Sequence, residues 1–168
     1  MHFTYVDTPI GPLFVAGDHD ALHEVSFSTG HQIREPREGW TEDAGSLRFA
    51  TVQIDEYFAG TRRDFDLPLA MQGTDFQKRV WNELMEIPFG ESRTYGEMAE
   101  TLGSPGAARA VGRANATNHI PLIVPCHRVV GADGSLTGFG GGMPTKQWLL
   151  RFEGVLAPGA DNTQKVLF

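Results

Sequence analysis

Three short apolar-rich runs open the chain: HFTYV at 2–6, LFVAG after the turn Pro9-Ile10-Gly11-Pro12, and ALHEVSF after Asp18-His19-Asp20. Runs of this length between turn residues predict a small antiparallel meander. Residues 28–45 carry Gly, Pro and charge without a period, which predicts a loop. The pattern then changes. Leu47, Ala50, Ile54, Tyr57 and Phe58 fall at helical spacing within 46–58, and Gly60 follows as a stop. The stretch 61–73, with Pro68 and Gly73, reads as a strand fragment and linker.

Beyond residue 74 the pattern is one of short helices. Thr74 and Gln77 form a capping-box pattern ahead of Phe76, Val80, Trp81 and Leu84, predicting a helix over 75–87 before Pro88. Thr94 and Glu97 repeat it for a helix over 95–102 that ends at Gly103. Ser104-Pro105 supplies an N-cap and a first-turn proline for a third helix containing GAARAVGRANA. Two short helices joined by a glycine-containing turn predict a helix-turn-helix, with Arg109 and Arg113 on one face because they lie four apart. Ile120–Val130 is an apolar run broken by Pro121, Pro125 and Cys126-His127-Arg128. Ala132-Asp133-Gly134 predicts a hairpin-type turn, and Phe139-Gly140-Gly141-Gly142 a loop whose backbone other groups can approach closely. A last helix starts near Pro144 and carries Trp148, Leu149, Leu150 and Phe152; the tail after Gly154 is expected to be poorly ordered. The expected class is α+β: a sheet-and-helix domain over 1–73, a mainly helical domain over 74–156 and a tail over 157–168.

Composition narrows the classes. The chain has 168 residues, 40% of them hydrophobic, which suffices for a core. It contains no run of about 18 apolar residues and opens without a basic and apolar leader, so the expectation is a cytoplasmic protein with no membrane partner. One cysteine excludes an intramolecular disulfide and a multi-cysteine zinc site, and His2, His19, His23 and His31 lack metal-ligand spacing. No metal and no cofactor are expected. The net charge of −7 argues against a nucleic-acid partner until its distribution is examined. Residues 1–74 hold five basic side chains against twelve acidic ones, whereas 103–152 hold Arg109, Arg113, Arg128, Lys146 and Arg151 against Asp133 alone. That segment can meet phosphates, although such asymmetry is also what a solvated face looks like.

The densest chemistry is Pro125-Cys126-His127-Arg128. A cysteine among apolar residues is, on its own, a small buried hydrophobe. Against that, Pro121 and Pro125 suit a site rim better than a central strand, and His127 and Arg128 place a base and a cation near the sulfur, an environment that lowers a thiol pKa. On an extended segment neighbouring side chains point to opposite faces, so a Cys126–His127 link would need a water or a bend.

The segment IPLIVPCHRVVGADGSLTGFGGG resembles the active-site signature of the O6-alkylguanine-DNA alkyltransferases, the methylated-DNA–protein-cysteine methyltransferases. TDFQKRVWNELMEIPFGESRTYGEMAETLG, SPGAARAVGRANATN and KQWLLRFEG resemble the family's surrounding helices in the same order, and DTPIGPL its opening. The resemblance is strong over 74–154. It implies a single-turnover, self-inactivating monomer that repairs double-stranded DNA by base flipping, taking an alkyl group from O6-alkylguanine, and from O4-alkylthymine as a further lesion, onto Cys126. It implies that His127 withdraws the thiol proton through a water and that Glu153 orients His127. Tyr95 is implied to hydrogen-bond the guanine ring. Arg109 would fill the hole left by the flipped nucleotide, with Ala107, Ala108, Arg113 and Arg128 beside the DNA. Asn118 would bridge the recognition helix to the active-site segment, and the backbone of Val129 and the loop around Phe139 and Gly140 would hold the base. Taken singly, Tyr95 is also an ordinary first-turn aromatic, Arg109 a solvated charge, Glu153 surface decoration and Asn118 a helix cap.

Two positions depart from the family pattern: His119 replaces a common proline and Phe139 a common tyrosine. Both bear on tolerance for bulky alkyl groups or for O4-alkylthymine. Three other functions fit parts of the chain. A damage-binding relative that transfers nothing carries tryptophan at the acceptor position, where this chain has Cys126. A helix-turn-helix regulator would need a dimerisation segment, and none is apparent. A cysteine hydrolase would turn over repeatedly, whereas a thioether offers water no easy leaving group.

Overall fold

The computed structural model describes residues 1–156; residues 157–168, the expected tail, lie outside the described residues. The three predicted strands are β1 (His2–Val6), β2 (Leu13–Gly17) and β3 (Leu22–Ser26), paired antiparallel as a meander. β2 lies between β1 and β3, and all five of its residues are buried. At Gly17 the β2–β3 register shifts, and a Cβ there would lie 2.5 Å from the Ala21 carbonyl oxygen, so the bulge needs glycine. A fourth strand, β4 (Thr41–Glu42), runs parallel to β1 at the sheet edge, inside the segment expected to be a loop. Leu69, in the linker, bridges to Leu22.

Helix α1 (Arg48–Phe58), entered through a 3-10 turn at Gly45–Leu47, turns Ala50, Ile54 and Tyr57 into the core. Both capping boxes form: Thr74 and Gln77 start α2 (Asp75–Met85), and Thr94 and Glu97 start α3 (Tyr95–Thr101). The third helix corrects its expected start. Gly106 takes a left-handed φ of 88° and the Ala107 amide donates to Ser104 O at 3.0 Å, so Ser104-Pro105-Gly106 is a turn. Helix α4 (Ala108–Ala116) therefore begins without a side-chain cap. It packs on α2 and α3.

A two-residue parallel pair, β5 (Arg93–Thr94) with β6 (Val129–Val130), ties the start of α3 to the segment after the cysteine. α5 (Met143–Phe152) carries Pro144 in its first turn and is the last helix among the described residues. One hydrophobic cluster runs through the whole molecule, joining Val15 and Leu22 of the sheet to Trp81, Leu84, Val111 and Leu149. A smaller one buries Val155 and Leu156 against Val130 and Leu150, so the two residues after Gly154 are core. Among the described residues, no helix is long and apolar enough to cross a membrane.

Candidate active site

The turn that presents Cys126 is built by asparagine. Asn118, two residues past α4, accepts from the Ile120 amide at 2.9 Å and donates to Val124 O at 2.8 Å, while Asn115 donates to Cys126 O at 3.3 Å. Leu122 sits at φ 77°, a left-handed conformation that costs a branched residue energy and is held by this over-determined loop. Pro125, at φ −80° and ψ 66°, makes an inverse γ-turn in which the Cys126 amide donates to Val124 O at 2.8 Å. Cys126-His127-Arg128 is then one 3-10 turn and not an extended stretch, which supplies the bend.

Cys126 is 5% exposed and lines a cavity of about 280 Å³ together with Tyr95, Asn118, Phe139 and Gly140. Tyr95 opens α3, and its hydroxyl pairs with Thr137 Oγ1 at 2.9 Å. The Phe139 ring meets Phe27 from the N-terminal half at 5.6 Å between centroids. Burial pushes the Cys126 thiol up to about 11, with Asn118 and the Lys146 charge pulling the other way. The expected lowering of the thiol pKa is thus reversed.

Behind the cysteine lies a buried chain of polar groups. His127 Nε2 is 2.8 Å from Glu153 Oε2, and both side chains are fully buried. Burial alone would raise the Glu153 carboxyl. The adjacent His127 and Arg128 outweigh it and hold Glu153 well below the usual carboxylate range. Because an ionised carboxylate only accepts, the His127 proton sits on Nε2, and Nδ1, which has no hydrogen-bond partner among the described residues, keeps its lone pair. Burial also holds the imidazole below its ordinary pKa, opposed by Glu153. Arg128 donates to Glu153 from Nε at 2.7 Å and Nη2 at 3.0 Å, and to Ile87 O from Nη1 at 2.7 Å. Its expected place on DNA is therefore corrected: Arg128 is a buried counter-ion.

Arg109 and Arg113 project from α4 into solvent, and Ala107 and Ala108 stand at its half-exposed start. Val129 does not line the cavity. Its amide bonds back to Cys126 O, and its carbonyl accepts from Lys146 Nζ at 2.7 Å, so its expected role in holding a base is not supported by this geometry. His119 meets Arg34 and gives its carbonyl to the Val25 amide at 2.9 Å, docking the loop after Asn118 on the sheet.

The sequence reading missed four residues. Tyr57 donates to Glu153 Oε2 at 2.6 Å; Lys146 is fully buried, its pKa lowered by that burial to about 8; Asn115 grips the acceptor's carbonyl; Gln32 lines the cavity. Only Lys146 carried a signal, as a charge on the apolar side of a helix.

Residues 75–155 match the family model of the 6-O-methylguanine DNA methyltransferase DNA binding domain, and residues 1–71 that of its ribonuclease-like domain. The chain is 51% identical over 164 residues to a methylated-DNA–protein-cysteine methyltransferase of Mycobacterium bovis, covering 97% of this chain and 98% of the relative. It is 49% identical over 154 residues to one from Methanosarcina acetivorans, covering 92% and 99%. The crystal structure of Mycobacterium tuberculosis OGT in complex with DNA superposes with a TM-score of 0.85 at 48% identity, covering 95% of this chain and 96% of that one.

Proposed function

The chain belongs to the 6-O-methylguanine DNA methyltransferase family, and from that premise we propose how its residues carry the transfer of an alkyl group from O6-alkylguanine in DNA to its own cysteine. The observation that carries the assignment is Cys126 itself, the chain's one cysteine, facing a cavity with Tyr95 while backed by His127 and Glu153.

Alkylated O6 is concealed in a duplex, so the nucleotide must be extruded at a cost of a few kcal/mol. Arg109, on the exposed face of α4, fills the place it leaves, and the small start of that helix at Ala107 and Ala108 allows a close approach to the backbone. Arg113 adds a phosphate contact. The Cys126 proton passes through a water to His127 Nδ1, and Glu153 stabilises the imidazolium. The sulfur then attacks the alkyl carbon, forming the C–S bond as the C–O6 bond breaks. The electron pair stays on the purine, Tyr95 supports that charge by a hydrogen bond, and the withdrawn proton returns to give neutral guanine. This is nucleophile activation by a base and an orienting group, ending in a thioether. The chain works once.

O4-alkylthymine presents the same kind of carbon to the thiol and is a second candidate lesion. All these groups come from one chain, consistent with action as a monomer, and the need for a reduced thiol favours the cytoplasm. We place the boundary between the two domains near residue 74. The test is the intact mass of the protein after mixing with a duplex containing one O6-methylguanine. A gain of one CH2 per chain on the wild type, absent in Cys126→Ala, is expected. No gain with retained lesion-selective binding would make the protein a damage sensor.

A further inference from the structure

Gln32 belongs to the N-terminal half, yet it lines the cavity that holds Cys126. The strap that carries it is tied to the glycine loop. The His31 and Gln32 amides both donate to Gly140 O at 3.1 Å, and Thr29 Oγ1 donates to Gly141 O at 2.9 Å. Ser26 Oγ donates to Gln32 O at 3.2 Å from the sheet side. The Gln32 side chain then crosses Gly140 and donates from Nε2 to Ala116 O at 2.7 Å, at the end of α4. It thereby spans the loop wall and the helix wall of the cavity. The crossing is close: a Cβ on Gly140 would sit 2.1 Å from Gln32 Oε1 and 2.6 Å from its Cδ. Glycine at 140 leaves room for this side chain.

We propose that Gln32 is a specificity-determining residue, a bar across the cavity that limits the size of the O6 substituent the protein accepts. The proposal rests on the reading of Cys126 as the alkyl acceptor. The cavity is about 280 Å³, at the lower end of pockets that hold drug-sized molecules, so it is bounded and a growing O6 substituent must meet its lining, Gln32 included. A substituent larger than methyl needs more room, and Gln32 closes one side of that space. Its tether to Ala116 O keeps a long, otherwise flexible side chain from swinging clear. Gln32 is half-buried and outside the Cys126–His127–Glu153 chain, so its truncation changes room without changing the reacting groups.

The experiment measures transfer rates to the full chain from duplexes carrying O6-methylguanine or O6-benzylguanine, by intact mass, for wild type, Gln32→Ala and Gln32→Met. Alanine removes the bar. Methionine keeps its bulk and loses its donor. The expected result is a benzyl-to-methyl rate ratio raised roughly tenfold in Gln32→Ala, the order of effect a small change of room has on discrimination, and near wild type in Gln32→Met. An unchanged ratio in Gln32→Ala, with both rates equal to wild type or both reduced together, overturns the bar while leaving Cys126 as acceptor. A ratio that rises equally with methionine overturns the steric basis. If the wild type gains no mass from either duplex, the reading of Cys126 fails and the proposal falls with it.

Discussion

Tyr57 donates to Glu153 Oε2 at 2.6 Å across 96 positions of the chain, on the same oxygen that His127 Nε2 approaches at 2.8 Å. Burial first, and the carboxylate second, hold the phenol far above its ordinary pKa, so it stays a donor. Helix α1 of the N-terminal half thus reaches the group that orients the base of the other half.

Tyr57→Phe removes that donor and little volume. Hydrogen bonds to charged groups contribute about 1.5–3 kcal/mol, and chemical denaturation should show a loss in that range. Alkyl transfer should persist, because His127 and Arg128 still hold Glu153. A variant as stable as wild type would show that the bond contributes nothing net.

Arg128 makes a different kind of contribution. Breaking a buried ion pair from one side leaves an uncompensated charge, typically a loss of about 3–5 kcal/mol. Arg128→Ala should therefore melt far below wild type, with Glu153 stranded beside His127. A variant that keeps its stability and loses only DNA affinity would restore Arg128 to the DNA face.

The elements legible in the sequence were those written over neighbouring residues. Thr74 with Gln77 and Thr94 with Glu97 place two helix starts because a capping box needs only residues three apart. The pairs β1–β4 and β5–β6 escaped, since two-residue parallel strands have no period to detect and their partners are distant. At the site, residue type identified Cys126 and His127 as chemistry. It could not say that Arg128 points inward to Glu153, because a charge announces itself in sequence and its partner does not. Tyr57 was legible only as a core residue for the same reason.

The thiol should be sluggish in the free protein. With Cys126 raised from 9.0 to about 11 by burial, iodoacetamide labelling at pH 7 should be slower than for free cysteine. It should climb about tenfold per pH unit, as the thiolate fraction does below its pKa. The sign for stability follows. A raised pKa means that the folded protein holds the proton more tightly, so this contribution is complete below pH 9 and lost as pH rises through about 11. The stability of wild type relative to Cys126→Ala should fall across that window. Labelling at pH 7 as fast as that of free cysteine would place a thiolate in the resting site.

Arg109 separates DNA chemistry from site chemistry. It is exposed on α4 and joins none of the described ion pairs, so Arg109→Ala should leave melting and Cys126 labelling unchanged. If Arg109 fills the stack, its loss returns part of the few kcal/mol needed to extrude the base, and transfer from a duplex should slow by at least about tenfold. Transfer from free O6-methylguanine base, which needs no extrusion, should keep its wild-type rate. Arg113→Ala should behave differently, weakening binding to any duplex and lowering its salt slope by about one. Equal slowing of duplex and free-base transfer by Arg109→Ala would mean that the arginine acts through the site and not through the DNA.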